Sequence, residues 1–134
     1  MSKVGCGILL KLDFADGGIC DKERTFLIID QIDDKLHLLN ISSVKGKEWK
    51  LGYKSNKEIK RFKPPFLKYS FAKLDALYII SAGDYLEQKI LFNKRKMFPA
   101  QLEEIKNTFY NYREKNNINI KQYDENYVIR KNGL

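Results

Sequence analysis

The chain contains a series of short apolar segments, each about as long as a β-strand and separated by polar stretches. Residues 8–12, 25–29, 36–41 and 77–80 are rich in aliphatic, β-branched and aromatic side chains, the types that favour strands. The stretch 32–35, IDDK, turns the chain between the second and third segments, which predicts an antiparallel pair. We therefore predict a mainly β fold in which residues 25–29 form a central strand.

A different periodicity marks residues 99–115. Pro99 suits the first position of a helix. Four large apolar side chains then recur at spacings of three, four and three residues: Leu102, Ile105, Phe109 and Tyr112. Because this spacing places them on one helical face, we predict a helix over about 99–115. It should cover an open end or face of a β-barrel.

Three other segments have weaker patterns. Residues 86–92 fit a strand or a helical turn, and we favour the strand. Residues 44–65 have no clean period and end in two prolines, so we interpret them as a long excursion with one short strand around 48–53. The tail, about 118–134, predicts a terminal hairpin. No repeat or linker divides the chain, so we predict a single domain over 1–134 that includes this additional tail.

The positive charge of the chain is unevenly distributed. The formal net charge is +8, yet residues 1–44 hold five lysines and arginines against seven acidic residues. Residues 45–63 hold eight against two. A concentrated basic patch attracts anionic partners, which favours nucleic acid or an acidic protein.

The absence of targeting signals and the use of cysteine indicate the cellular location that we expect for the protein. No apolar run approaches the ~18 residues that a membrane-spanning helix needs, and the N-terminus lacks the pattern of a secretory signal. We expect a soluble, cytoplasmic protein with no membrane association. Cys6 and Cys20 could pair across a hairpin, but in the cytoplasm we expect reduced thiols.

The basic excursion also contains aromatic residues. Lysines alternate with Trp49, Tyr53 and Phe62, and exposed rings beside positive charge suit the bases and phosphates of single-stranded nucleic acid. The alternative is a solvated loop whose aromatic side chains fill the barrel. On the first interpretation, the predicted RNA-binding residues are Phe14, Lys22, Lys45, Lys47, Trp49, Arg61 and Lys63.

Several enzyme classes lack their motifs in this sequence. There is no phosphate-binding glycine loop, nucleophile elbow or zinc-protease helix motif. One histidine and two distant cysteines do not make a zinc site, so we predict no metal and no cofactor. His37 lies within an apolar strand segment, where we favour a structural role.

The remaining chemistry is centred on Arg24. It follows a glycine-containing loop, residues 14–23, and precedes the central strand, while Ser42 and Ser43 end the next strand. An arginine fork and a hydroxyl can hold a phosphate and stabilise charge on it. The alternative is a surface ion pair of Arg24 with Glu23 or Asp21, with the serines only ending a strand.

The order of these segments resembles the MazF/PemK family of toxin endoribonucleases. The resemblance spans about residues 4–115 and rests on a Gly-Ile-Leu strand, a glycine-containing loop, RTFLII and LLNISS. Downstream, residues 70–80 look like the family segment in which an acidic residue, here Asp75, precedes the strand before the last helix. The family more often has proline at the Thr25 position and threonine at the Ser42 position.

This resemblance implies both a fold and a function. The implied fold is an SH3-like barrel with appended helices. The resemblance also implies a metal-independent, sequence-specific endoribonuclease that cuts single-stranded RNA, forms a homodimer and is neutralised by a small acidic antitoxin. The implied catalytic residues are Arg24, Ser42 and Asp75, and Ser43 would be a substitute for Ser42. The RNA 2′-hydroxyl would attack the adjacent phosphate, leaving a cyclic phosphate end, with the 14–23 loop covering the RNA groove.

A second function class remains open. A non-catalytic SH3-like barrel could use the same charge to bind nucleic acid, or it could bind a protein target such as gyrase. Phe66, Leu67 and Phe71 form an apolar strip that would be either a dimer face or part of the core, and we favour the core.

Overall fold

The computed structural model of the chain describes residues 2–134 and contains seven strands and two α-helices. The strands are β1 Gly7–Leu10, β2 Arg24–Ile32, β3 Lys35–Ser43, β4 Asn56–Ile59, β5 Ser70–Lys73, β6 Ala76–Ser81 and β7 Asn119–Tyr123. The helices are α1 Pro99–Lys115 and α2 Glu125–Asn132. Single 3₁₀ turns lie at Glu48–Gly52, Asp84–Lys89 and Phe92–Lys94.

The sheet is organised around β3, which has β2 along one edge and two different strands along the other. Its first half pairs antiparallel with β6, and its last three residues pair antiparallel with β5. β1 and β4 lie at the ends of the strand path. Because one long strand is shared between two partners that diverge, the sheet is bent and barrel-like. This confirms the predicted mainly β fold with helical additions.

Apolar residues cover both faces of the sheet. Alternate residues of a strand point to opposite faces, so β2 and β3 contribute to two separate clusters. One cluster contains Ile8, Leu10, Phe26, Ile28, Leu38, Tyr78 and Val128 of α2. The other contains Leu27, Leu39, Ile41, Ala72, and Ile105 and Phe109 of α1. Burial on both sides explains why β2 and β3 are almost continuously apolar.

The predicted helix over 99–115 is confirmed by α1. Pro99 occupies its first turn, and Arg113 and Lys115 lie in its last turn, where positive charge interacts favourably with the helix dipole. Ile105 and Phe109 are fully buried against the sheet.

Two predicted strands were wrong. The segment around 48–53 contains the 3₁₀ turn Glu48–Gly52, and the excursion pairs with the sheet only later, through β4. The segment 86–92 contains 3₁₀ turns in place of a strand. In the second segment the fully buried Leu86 anchors a short turn, whereas the turn at Glu48–Gly52 buries no residue. The local pattern does not distinguish such turns from a strand.

The predicted terminal hairpin was also wrong. β7 pairs parallel with β6, because the chain crosses over through α1 before it returns to the sheet. The second apolar run forms α2, where the Asp124 side chain caps the N-terminus by accepting from Tyr127 N at 2.7 Å. Gly133 ends the helix in the left-handed conformation, with φ 63°, which glycine adopts without steric cost.

The apolar strip divides between core and surface. Phe66 and Phe71 are buried, as favoured from the sequence, whereas Leu67 is 69% exposed. Cys6 and Cys20 are both buried and form no disulfide. Within residues 2–134, no helix has both the length and the apolar character needed to cross a membrane.

Candidate functional site

Arg24 begins β2, and three aromatic rings surround its guanidinium group. The Cζ atom lies 4.4 Å from the Phe14 ring centre, 5.2 Å from that of Phe26 and 5.1 Å from that of Tyr78. Nη1 donates to the Tyr78 hydroxyl at 3.2 Å, and Nη2 donates to the Leu12 carbonyl at 2.8 Å. No pairing of Arg24 with Glu23 or Asp21 is found within residues 2–134, so the surface ion pair considered above is not formed.

The guanidinium group faces a cavity of about 180 Å³. Besides Arg24 and Tyr78, its walls include Phe14, Asn40, Lys73, Asp75 and Asn119. Small-molecule pockets usually measure ~300–1,000 Å³. This cavity therefore suits one phosphodiester group of a longer chain better than a whole metabolite.

Lys73, at the end of β5, was missed by the sequence analysis. Burial lowers the pKa of its amine, and the charges of the neighbouring Lys50, Lys47 and Arg24 also lower it, while Asp75 opposes them. Lowering the pKa increases the neutral fraction of the amine at a given pH, and the neutral amine is the form that can accept a proton. The signal available in the sequence was the spacing Lys73-Leu74-Asp75, which places both polar side chains on one face of the strand end.

Ser42 and Ser43 point to opposite faces of the sheet. Asn40 of β3 is opposite Phe26 and Thr25 is opposite Ile41, so continuing this register places Ser42 beside Arg24 on the same face. The Ser42 hydroxyl accepts from Lys47 Nζ at 3.2 Å, but Ser42 is not a wall of the Arg24 cavity. Ser43 lines a different cavity. The structure therefore brings Arg24 and Asp75 together with Phe14, places Ser42 at the margin, and separates Ser43 from them.

The basic excursion passes beside this site. Lys47 and Lys50 lie close enough to lower the pKa of Lys73, and Trp49 is 62% exposed. The Trp49 and Tyr53 rings pack edge to face with centres 5.6 Å apart. Because both rings are exposed, they do not fill the barrel as in the alternative interpretation, whereas Phe62 packs against the core.

The other predicted RNA-binding residues are distributed more widely. Lys22, Lys45, Arg61 and Lys63 are exposed. Arg61 stacks on Phe98, with its Cζ 3.8 Å from the ring centre, close to the start of α1. These residues do not line the Arg24 cavity, so any contact they make with nucleic acid would be made outside it.

His37 and the acidic residues do not form a metal site. His37 is half-buried opposite Ile79, and burial lowers its pKa. No group of three or more potential His, Cys, Asp or Glu ligands is clustered anywhere in residues 2–134. The site thus offers a fixed cation, an amine, a carboxylate and hydroxyl groups, which together can bind a phosphodiester and move a proton.

Comparison with known proteins found similarity among solved structures. No family model and no curated protein matches the chain. A solved structure described as an endoribonuclease in complex with its cognate antitoxin from mycobacterial species is similar to it, with a TM-score of 0.49 and 8% identity. The similarity covers 83% of this chain and 91% of that chain. At this level of similarity the function has to be argued from the site.

Proposed function

We propose that this protein is a metal-independent endoribonuclease that cuts single-stranded RNA at specific short sequences. The observation that carries the proposal is the convergence of Arg24, Lys73 and Asp75 on one small cavity. A cation that binds phosphate, an amine that can take a proton and a carboxylate are together sufficient for attack by the RNA 2′-hydroxyl on the adjacent phosphate.

Each group has a distinct role in the proposed reaction. The neutral Lys73 amine accepts the 2′-hydroxyl proton while the oxygen bonds to phosphorus, and Asp75 accepts a hydrogen bond from the ribose. Arg24 stabilises the charge that accumulates on the phosphate oxygens. The bond from phosphorus to the 5′ oxygen breaks, and this oxygen takes its proton from solvent. The products are a 2′,3′-cyclic phosphate and a 5′-hydroxyl end.

The RNA strand is proposed to run from this cavity along the basic excursion. Lys47, bonded to Ser42, would contact the next phosphate, with Ser42 orienting it. The exposed ring of Trp49 would stack on a base, as aromatic side chains do in proteins that bind single strands. Lysine and arginine residues of the excursion, including Lys45, Arg61 and Lys63, would add contacts that weaken with salt.

We also propose that the protein is the cytoplasmic toxin of a toxin–antitoxin pair, acts as a homodimer and is neutralised by a small acidic protein. The net charge of +8 suits such a partner. An antitoxin accompanies the structurally similar endoribonuclease, and for this chain the partner is a proposal.

The test is incubation of the purified protein with single-stranded RNA in the presence of a chelator, followed by sequencing of the RNA ends. Wild-type protein should produce cyclic phosphate ends at a short recurrent sequence. Arg24→Ala should lower the cleavage rate by about 10²-fold or more. Arg95→Ala is the control, because Arg95 also lies beside an aromatic ring, 5.4 Å from the Phe92 centre, but is exposed and lies outside the cavity.

Three results would contradict the proposal. Equal cleavage by wild type and Arg24→Ala would remove the site assignment. RNA that is bound in a salt-dependent manner but never cut would instead support a non-catalytic nucleic-acid-binding barrel. Binding to a protein such as gyrase, without RNA binding or cleavage, would support the other form of that alternative.

A further inference from the structure

The C-terminal tail is attached to the chain segment that leads into the 14–23 loop. The Asn132 side chain at the end of α2 bonds both backbone groups of Lys11. Its Oδ1 accepts from Lys11 N at 2.7 Å and its Nδ2 donates to Lys11 O at 3.0 Å. The Asn132 side-chain amide thus pairs with the backbone of Lys11, the residue that follows β1, as a neighbouring strand would.

Asp13, two residues further on, is held by three residues of the tail. Its backbone N donates to the Tyr127 hydroxyl at 3.0 Å, its carbonyl accepts from the Tyr123 hydroxyl, and its carboxylate lies 3.1 Å from Lys131 Nζ. The same carboxylate accepts from Cys20 N at 3.0 Å, closing the loop across its base. The Cys20 N–H and the Lys131 amine together lower the pKa of Asp13.

Lys131 also reaches the far side of the loop. Its Nζ lies 2.9 Å from Asp21, so one amine bridges the entry and the exit of the loop. The Lys131 side chain as a whole is 18% exposed.

The residues that the tail holds in place also contact the candidate site. Leu12 and Phe14, on either side of Asp13, are the backbone acceptor and the ring that contact Arg24. A second connection is a stack of rings from Tyr127 to Tyr123, with centres 5.1 Å apart, and from Tyr123 to Tyr78, 6.2 Å apart. Tyr78 bonds Arg24 directly. The tail also supplies Asn119 to the cavity wall.

The tail and the loop depend on each other for order. α2 has eight residues, and isolated helices shorter than ~12–15 residues are marginal in water. Its stability therefore comes from its contacts with the barrel and the loop. The loop, rich in glycine and exposed at its tip, gains its fixed position from the same contacts.

We propose that Asn132 and Lys131 are positioning residues, which set the geometry of Arg24 by fixing residues 11–14 over the cavity. This inference rests on the ribonuclease function proposed above. Loosening the tail leaves the excursion and its RNA contacts in place, so catalysis should weaken while substrate binding persists.

The experiment compares Asn132→Ala with Asn126→Ala, since Asn126 is an exposed asparagine of the same helix whose side chain forms no hydrogen bond there. Hydrogen exchange is measured on RNA-free protein. The amides of Lys11, Asp13 and Cys20 should exchange about tenfold faster in Asn132→Ala, while β2 and β3 amides keep their protection. The kcat for RNA cleavage should fall by about tenfold, with KM within about twofold.

A conservative and an independent variant complete the test. Asn132→Gln, which keeps both polar groups, should recover part of the lost loop protection and kcat. Lys131→Met, which keeps most of the aliphatic stem, should loosen the amide of Cys20 and lower kcat without affecting β2 and β3.

Unchanged loop exchange in both Asn132→Ala and Lys131→Met would overturn the inference, as would a loosened loop with wild-type kcat. Because the exchange measurement needs no RNA, the failure of the wild type to cleave RNA would count separately, against the proposed function. Loop exchange would then decide whether the tail fixes the loop.

Discussion

The two faces of the sheet at the junction of β2 and β3 carry cavities of opposite character. On one face, Arg24, Asn40 and Lys73 line about 180 Å³ of polar space. On the other, a cavity of about 380 Å³ is lined by Ile41, Phe66, Leu67 and other apolar residues, with Ser43 at its edge. The larger cavity has no carboxylate among its lining residues. The difference shows that the convergence of charged groups, more than volume, identifies the surface suited to phosphate chemistry.

This contrast follows from strand geometry. Neighbouring residues of β3 point to opposite faces, so Ser42 and Ser43 belong to different surfaces although they are adjacent in sequence. The faces also differ in how they are covered. Loop 14–23 and β7 border the polar cavity, whereas the segment around Phe66 and the 3₁₀ turn at Phe92–Lys94 border the apolar cavity.

The largest expected effect comes from removing a lysine at the polar cavity, compared with removing one at the apolar cavity. Lys73→Met should lower kcat by about 10²-fold, the typical contribution of a general base. Lys68→Met, which changes an exposed lysine at the apolar cavity, should leave kcat within about twofold. Equal losses in the two variants would show that only net charge matters.

The pH dependence of kcat tests the role of Lys73 further. A base must be neutral, and the neutral fraction of an amine rises with pH through its pKa. Because the pKa of Lys73 is lowered, wild-type kcat should rise with pH and level off below the pH expected for an ordinary lysine. Lys73→Arg keeps the charge but should lose this plateau, since arginine stays protonated. A pH-independent wild-type rate would contradict the assignment.

A smaller effect is expected at Trp49, whose exposed ring lies in the basic excursion beside the polar cavity. Trp49→Ala should raise KM by about tenfold with kcat nearly unchanged, because stacking one base contributes about 1–3 kcal/mol. Trp49→Phe keeps a flat ring and should raise KM less. Steady-state kinetics on a short RNA would measure both variants, and an unchanged KM in Trp49→Ala would place the RNA elsewhere.

The adjacent serines provide a matched pair with a still smaller effect. Ser42→Ala should lower kcat/KM by roughly fivefold, since it removes one hydroxyl hydrogen bond worth about 1 kcal/mol. Ser43→Ala should leave kcat/KM unchanged within error. A reversed order would show that RNA crosses the apolar face.

The smallest effect is predicted for the exposed residue of the apolar cavity. Leu67 is 69% exposed, so Leu67→Lys should change the free energy of unfolding by less than about 0.5 kcal/mol. RNA cleavage should be unaffected. Denaturant unfolding and a cleavage assay would check both, and a large loss of cleavage would remove the distinction between the two faces.

By itself, the sequence determined the local elements whose signal is carried by neighbouring residues. The apolar runs of β2, β3 and β6 and the three-and-four spacing in α1 are local, because each reflects burial of one element on a common core. Arg24 and Asp75 were identified as candidates from the residue chemistry and a family resemblance, and the structure places both on one cavity.

Only the tertiary structure decided how distant segments meet. Parallel pairing of β7 with β6 depends on the crossover through α1, which no local pattern encodes. The altered pKa of Lys73 depends on burial and on charges from Lys50 and Lys47, more than twenty residues away. Which of Ser42 and Ser43 shares a face with Arg24 depended on the strand register, because a one-residue shift would have exchanged their faces.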